Sequence, residues 1–121
     1  MFRSALFLIA AGALLASAGH AKDLKSDAET IDGARQTQLI RMVRQDCGSC
    51  HGIQLTGGLG PALTRERMVE FPLDSLIAVI YQGRPGTAMP GWKSMLSEAD
   101  AHWIAHQLQA GFPLEAGKAK P

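Results

Sequence analysis

The chain has 121 residues, with 12 Lys or Arg, 11 Asp or Glu and a formal charge of +1. That length holds one domain at most. So even a charge balance excludes the broad basic surface that nucleic acid or an anionic membrane would require.

The first 21 residues stand apart. MFRSALFLIAAGALLASAGHA opens with Arg3, continues through an apolar run from Ala5 to about Ala16, and ends on small residues at cleavage spacing. This is the layout of a secretory signal peptide. The apolar run is shorter than the roughly 20 residues needed to span a bilayer, so it reads as a leader and not as an anchor. Ala16-Ser17-Ala18 and Gly19-His20-Ala21 both fit cleavage; the second leaves a charged start at Lys22-Asp23. Export implies a periplasmic protein with no stable membrane insertion once the leader is removed. Arg3 is the one charged residue before Lys22, so the mature chain carries 11 basic and 11 acidic residues. Docking on a partner must therefore use a local patch.

Residues 22–33 are polar and lack apolar periodicity, and read as a flexible N-terminal arm. Residues 34–112 form the domain. From Ala34 to Asp46, Leu39, Ile40 and Val43 recur at helical spacing, with Arg35, Arg41 and Arg44 on other faces. This amphipathic helix runs straight into Cys47. Residues 52–64 hold Gly52, Gly57, Gly58, Gly60 and Pro61 and read as an ordered loop. A short helical turn fits residues 65–71. Asp74 is a candidate N-cap for a helix from Ser75 to about Tyr81, with Leu76, Ile77 and Ile80 inward and Gly83 at its end. Residues 82–92 are irregular again. Ser97 and Asp100 have capping-box spacing at the start of a last helix that runs through Trp103, Ile104 and Leu108 to Gly111. Residues 113–121 read as a flexible tail. No alternating strand pattern is present, so the domain is predicted to be all-α, with three to four helices joined by glycine-rich loops.

Both cysteines lie in DCGSCHG, residues 46–52. In an oxidising compartment a vicinal pair tends to form a disulfide unless something else captures it. A zinc site normally needs four ligands, and there is no second Cys pair. A thioredoxin-like motif needs a βαβ context that is missing. The remaining reading is the C-x-x-C-H attachment signature of c-type haem. Residues i and i+3 of a helical turn share a face. Cys47 and Cys50 are thus placed to bond the two vinyl groups of one porphyrin, with His51 aimed at the iron.

The iron's other axial position has several candidate ligands: Met42, Met68, Met89, Met95, His102 and His106. Met42 and Met68 fall in helical patterns and read as core filler. Met95 just precedes a helix. His102 and His106 are spaced i, i+4 and could chelate a metal, but beside the core stripe of Trp103 and Ile104 they are expected to face solvent. Met89 sits in an irregular loop stiffened by Pro90, which suits a ligand held at fixed distance. A thioether there favours the ferrous state and raises the reduction potential.

The order of these features resembles the class I cytochromes c: helix, CGSCH, a G-x-G-P loop at Gly58–Pro61, a glycine-ended helix, MPGW, and a terminal helix containing an aromatic. The likeness covers about Gly33 to Gly111. It implies one haem c bound through two thioethers to Cys47 and Cys50, with His51 as proximal and Met89 as distal ligand. It implies that Pro61 offers its carbonyl to His51 Nδ1–H, that Gly60 lets the loop approach the ring, and that Trp92 packs on the haem edge. Taken alone, Pro61 could be only a turn residue and Trp92 only core. The resemblance also implies crossed terminal helices, with Leu39 or Val43 against Trp103.

Within that family the chain is similar to the small periplasmic cytochromes c of denitrifying bacteria, found alongside the dissimilatory nitrite reductase that contains haem c and haem d. The implied function is that of an electron carrier and not an enzyme, donating to nitrite reductase as its redox partner. The alternatives are an accessory role in making or inserting haem d, and general donation to another oxidase. A peroxidase needs an open distal site, which Met89 opposes. A non-redox haem-binding module predicts a labile distal bond.

Overall fold

The computed structural model describes residues 31–114. The expected signal peptide, residues 22–30 of the arm and residues 115–121 of the tail lie outside the described residues. Among those described, every regular element is helical.

α1 spans Gly33–Met42. It starts one residue before the point that the apolar periodicity suggested, because Asp32 takes the N-cap: its carboxylate accepts from Arg35 N–H at 2.7 Å. The helix does not run straight into the cysteines. A π-helical turn over Val43–Cys47 intervenes, followed by α2, Gly48–His51. The wider turn breaks the 3.6-residue register, so the face set by Leu39 does not simply continue to Cys47.

Arg44 lies in that turn and, contrary to the expectation of an outer face, is buried. Its guanidinium donates to the carbonyls of Ile53, Phe112 and Pro113 and lies 5.5 Å from the Phe112 ring centroid. Carbonyl acceptors and an aromatic face replace the water that a cation gives up on burial. The result joins the chain after the last helix to the segment carrying the cysteines.

α3 is the single turn Arg65–Met68 and α4 spans Leu73–Gln82. Asp74 is not the N-cap of α4. Pro72 occupies that place, with its carbonyl accepting from Ser75 and Leu76. Asp74 falls in the first turn, where a carboxylate suits the helix dipole. α5 spans Glu98–Ala110 and opens on the expected capping box: Ser97 Oγ accepts from Asp100 N–H, and the Asp100 carboxylate accepts from Ser97 N–H.

One core joins these helices. Leu39 and Val43 meet Met68, Ile80, Ala101, Ile104, Ala105 and Leu108, with Leu55 and Leu96 contributed by loops. Ala101 and Ala105 are fully buried one turn apart. Their small side chains let another element approach α5 closely. Arg35 grips Asp100 through two parallel bonds, Nε at 3.0 Å and Nη2 at 2.6 Å, and so ties the start of α1 to the start of α5. Trp103 packs against the same core as Leu39 and Val43; its aromatic partner is Phe112, edge-on at 6.2 Å.

Candidate haem-binding site

His51 closes α2 and is buried. Its Nδ1 lies 2.7 Å from the Pro61 carbonyl oxygen. A carbonyl only accepts, so this bond puts the proton on Nδ1 and leaves Nε2 with its lone pair. Tautomer and ring direction are thereby fixed in the way that metal-ligating histidines require.

The loop after α2 is built to deliver Pro61 to that place. Gly57 N–H donates to His51 O and Gly60 N–H to Cys50 O, folding residues 57–60 back over the end of the helix. Gly60 faces the imidazole so closely that a Cβ would stand 2.8 Å from Cε1 and 2.9 Å from Nδ1. Only a residue without a side chain fits there. Leu55 holds the loop from inside, with φ of 60° in the left-handed region. That conformation costs roughly 1–2 kcal/mol. Burying the leucine contributes about 1.5–3 kcal/mol, so the strained backbone is held in place.

Cys47 and Cys50 are free thiols, Cys50 exposed and Cys47 half-buried. Burial, together with the charge of Asp46, pushes the Cys47 thiol up to about 11. The unliganded thiol therefore carries its proton at neutral pH. Among the described residues no group of three or more His, Cys, Asp or Glu is arranged to hold a metal ion. His102 and His106 are both exposed on α5, as expected.

Met89 is half-buried in the segment after α4. Its N–H donates to Thr87 Oγ1 at 3.3 Å, and its carbonyl accepts from Arg84 N–H at 3.2 Å. Trp92 is half-buried against the core, and its N–H donates to the Ile80 carbonyl near the end of α4. The other methionines sort as expected. Met68 is core and Met42 packs on it, while Met95 is 59% exposed with its carbonyl near the Arg35 guanidinium.

Sequence reasoning missed three features that shape this region. They are the π-turn, the carbonyl grip of Arg44, and the backbone contact of Gly83 with Gly91, where a Cβ on Gly83 would stand 2.5 Å from Gly91 N. The first two leave no signal in composition or spacing. The third depends on main-chain contacts that the spacing of the two glycines does not by itself bring together.

The residues present fit haem c. Two unpaired thiols at C-x-x-C spacing precede an imidazole with a fixed tautomer and a free lone pair, and a glycine makes room beside the ring. An all-helical domain with this site is a class I c-type cytochrome, a class whose cofactor is haem c and whose work is to carry electrons. The chain belongs to the family described as cytochrome c oxidase, cbb3-type, subunit III, which matches residues 34–106. It is 56% identical over 79 residues to cytochrome c55X of Stutzerimonas stutzeri, covering 65% of this chain and 70% of that one. It is 54% identical over 83 residues to cytochrome c55X of Pseudomonas aeruginosa, covering 69% and 70%. Among solved structures, the c-type cytochrome NirC superposes with a TM-score of 0.65 at 51% identity, covering 66% of this chain and 94% of that one.

Proposed function

We propose that this cytochrome delivers electrons, one at a time, to a dissimilatory nitrite reductase in the periplasm of a denitrifying cell. The observation that carries the site is the 2.7 Å bond from His51 Nδ1 to the Pro61 carbonyl, which presents Nε2 as a ligand. Cys47 and Cys50 hold one haem c through two thioethers. His51 and Met89 would hold the iron, and Trp92 would pack on the edge of the group. When bound, the haem supplies an iron that cycles between ferric and ferrous.

The chain's own residues restrict what else can happen. Pro61 keeps the imidazole in one tautomer, so the proximal ligand does not turn over with redox state. Met89, tied at both its N–H and its carbonyl, would supply the second ligand and would keep substrate and water from the iron. A group held by both residues would suit electron transfer and oppose peroxidase chemistry. Among the described residues no helix is long and apolar enough to cross a membrane. The leader read at residues 1–21 would send such a carrier to the periplasm.

A second reading has an observation of its own. The chain is 35% identical over 74 residues to the dihydro-heme d1 dehydrogenase of Pseudomonas aeruginosa, covering 61% of this chain and 15% of that protein. The structure of dihydro-heme d1 dehydrogenase NirN in complex with DHE superposes with a TM-score of 0.55. This supports an accessory place in making or inserting haem d. There the carrier accepts single electrons from an oxidation of the haem d precursor. General donation to another oxidase is the third possibility.

Stopped-flow mixing separates these readings. The chemically reduced holoprotein is mixed with oxidised nitrite reductase and nitrite while its haem absorbance is followed. Fast reoxidation supports donation to the reductase. A normal ferrous c-type spectrum without reoxidation rejects that acceptor and leaves haem assembly or another oxidase.

A further inference from the structure

The ten residues from Gly83 to Trp92 leave α4 and return to it. Gly83 N–H donates to Val79 O, Trp92 N–H to Ile80 O and Lys93 N–H to Tyr81 O. Carbonyls that the helix end leaves without partners thus close the neck of the loop. At the neck the two arms touch backbone to backbone. A Cβ on Gly83 would stand 2.5 Å from Gly91 N and 2.6 Å from Pro90 C, and a Cβ on Gly91 would stand 2.6 Å from the carbonyl carbon and oxygen of Gln82. These obstacles are main chain and cannot swing aside as a side chain would.

Inside the loop one hydroxyl makes the cross-link. Thr87 Oγ1 donates to Arg84 O at 2.7 Å and accepts from Met89 N–H at 3.3 Å. Arg84 in turn donates its N–H to Met89 O at 3.2 Å. Both main-chain polar groups of Met89 are therefore held by two residues of the same small ring, and Pro90 stiffens the next bond.

We propose that Thr87 is a positioning residue for Met89. Through its hydroxyl bridge, on a loop neck that only Gly83 and Gly91 can close, it sets how tightly the distal thioether is held. The proposal rests on the reading of Met89 as the second axial ligand. Losing the bridge leaves the thioether attached but easier to displace, because the loop has more conformations in which the sulfur has left its place.

The test is displacement of the distal ligand by imidazole in the ferric holoprotein, followed spectroscopically. Thermal unfolding of each variant is recorded alongside. Thr87→Val keeps the shape and removes the hydroxyl. It is expected to tighten apparent imidazole binding by at least roughly 2- to 12-fold, the factor supplied by the lost bond to Met89 N–H alone, with the lost bond to Arg84 O adding to it. Thr87→Ser keeps the hydroxyl and is expected to restore the native value. Gly91→Ala forces the neck open and is expected to have the larger effect. Imidazole affinity in Thr87→Val equal to that of the native protein overturns the proposal, as does an equal change in Thr87→Val and Thr87→Ser. Met89→Ala is the control on the underlying reading. If it leaves imidazole affinity and the sulfur-to-iron charge-transfer band unchanged, Met89 is not the ligand, and that failure is distinct from failure of the Thr87 bridge alone.

Discussion

Gly60 is the residue on which the proximal side turns. A methyl group there meets the His51 ring at under 3 Å. Either the imidazole tilts away from the Pro61 carbonyl or the loop lifts. Overpacking of this kind costs about 1–3 kcal/mol. Gly60→Ala is therefore expected to lower the unfolding free energy of the holoprotein by that amount, checked by denaturant titration. It is also expected to lower the yield of protein with bound haem, whereas the same change at Gly33, which has nothing within 4 Å, leaves the yield unaltered. Cys47, Cys50, His51 and Met89 were singled out at this scale by type and spacing, since few chemistries use two thiols, an imidazole and a lone thioether in that order, and the His51–Pro61 bond that the structure holds suits that reading. Arg44 was not legible. A basic residue on a helix reads as solvated, and only the fold shows that the carbonyls of Ile53, Phe112 and Pro113 converge on it.

Among the elements, α1 and α5 are held together at their starts by one carboxylate. Asp100 completes the capping box with Ser97 and receives the fork of Arg35. The Arg35 guanidinium, and then the Ser97 groups, hold the Asp100 carboxyl below the usual carboxylate range. A carboxyl depressed by folding contributes stability above its unfolded value near 3.9, and that contribution is lost as the pH falls through the folded value. The native protein is thus expected to lose stability steadily below about pH 4, while Asp100→Asn shows less of that loss. At neutral pH, Asp100→Ala is expected to cost about 1–3 kcal/mol through the lost cap and the orphaned Arg35. Unfolding curves at pH 7 and pH 3 check both statements. The capping box was legible because Ser97 and Asp100 stand at fixed offset before an apolar stripe. The start of α4 was misread because Asp74 has cap chemistry, and the preceding Pro72 took the place by fixing the backbone instead. The π-turn escaped because apolar periodicity over so short a stretch does not separate 3.6 from wider turns.

For the whole molecule, the described protein core is small and draws on four helices, the π-turn and two loops. Leu39 is fully buried at its centre. Leu39→Ala is expected to destabilise the holoprotein by about 2–5 kcal/mol, measured by thermal or denaturant unfolding, without moving the haem spectrum. The all-helical architecture and the order of the functional segments followed from the sequence because glycine and proline divide it cleanly into helices and loops. How the methionine loop doubles back onto α4 did not follow, since it depends on main-chain contacts between residues that spacing alone does not bring together. The central claim is that Cys47 and Cys50 carry a covalently bound haem. The most direct measurement is the denatured mass of the protein purified after export in a cell that has the haem-attachment machinery. The account predicts a single species, the chain from Lys22 plus one haem, unchanged by thiol reductants. A bare polypeptide mass, or one that shifts by two protons on reduction because the pair is a disulfide, would contradict it.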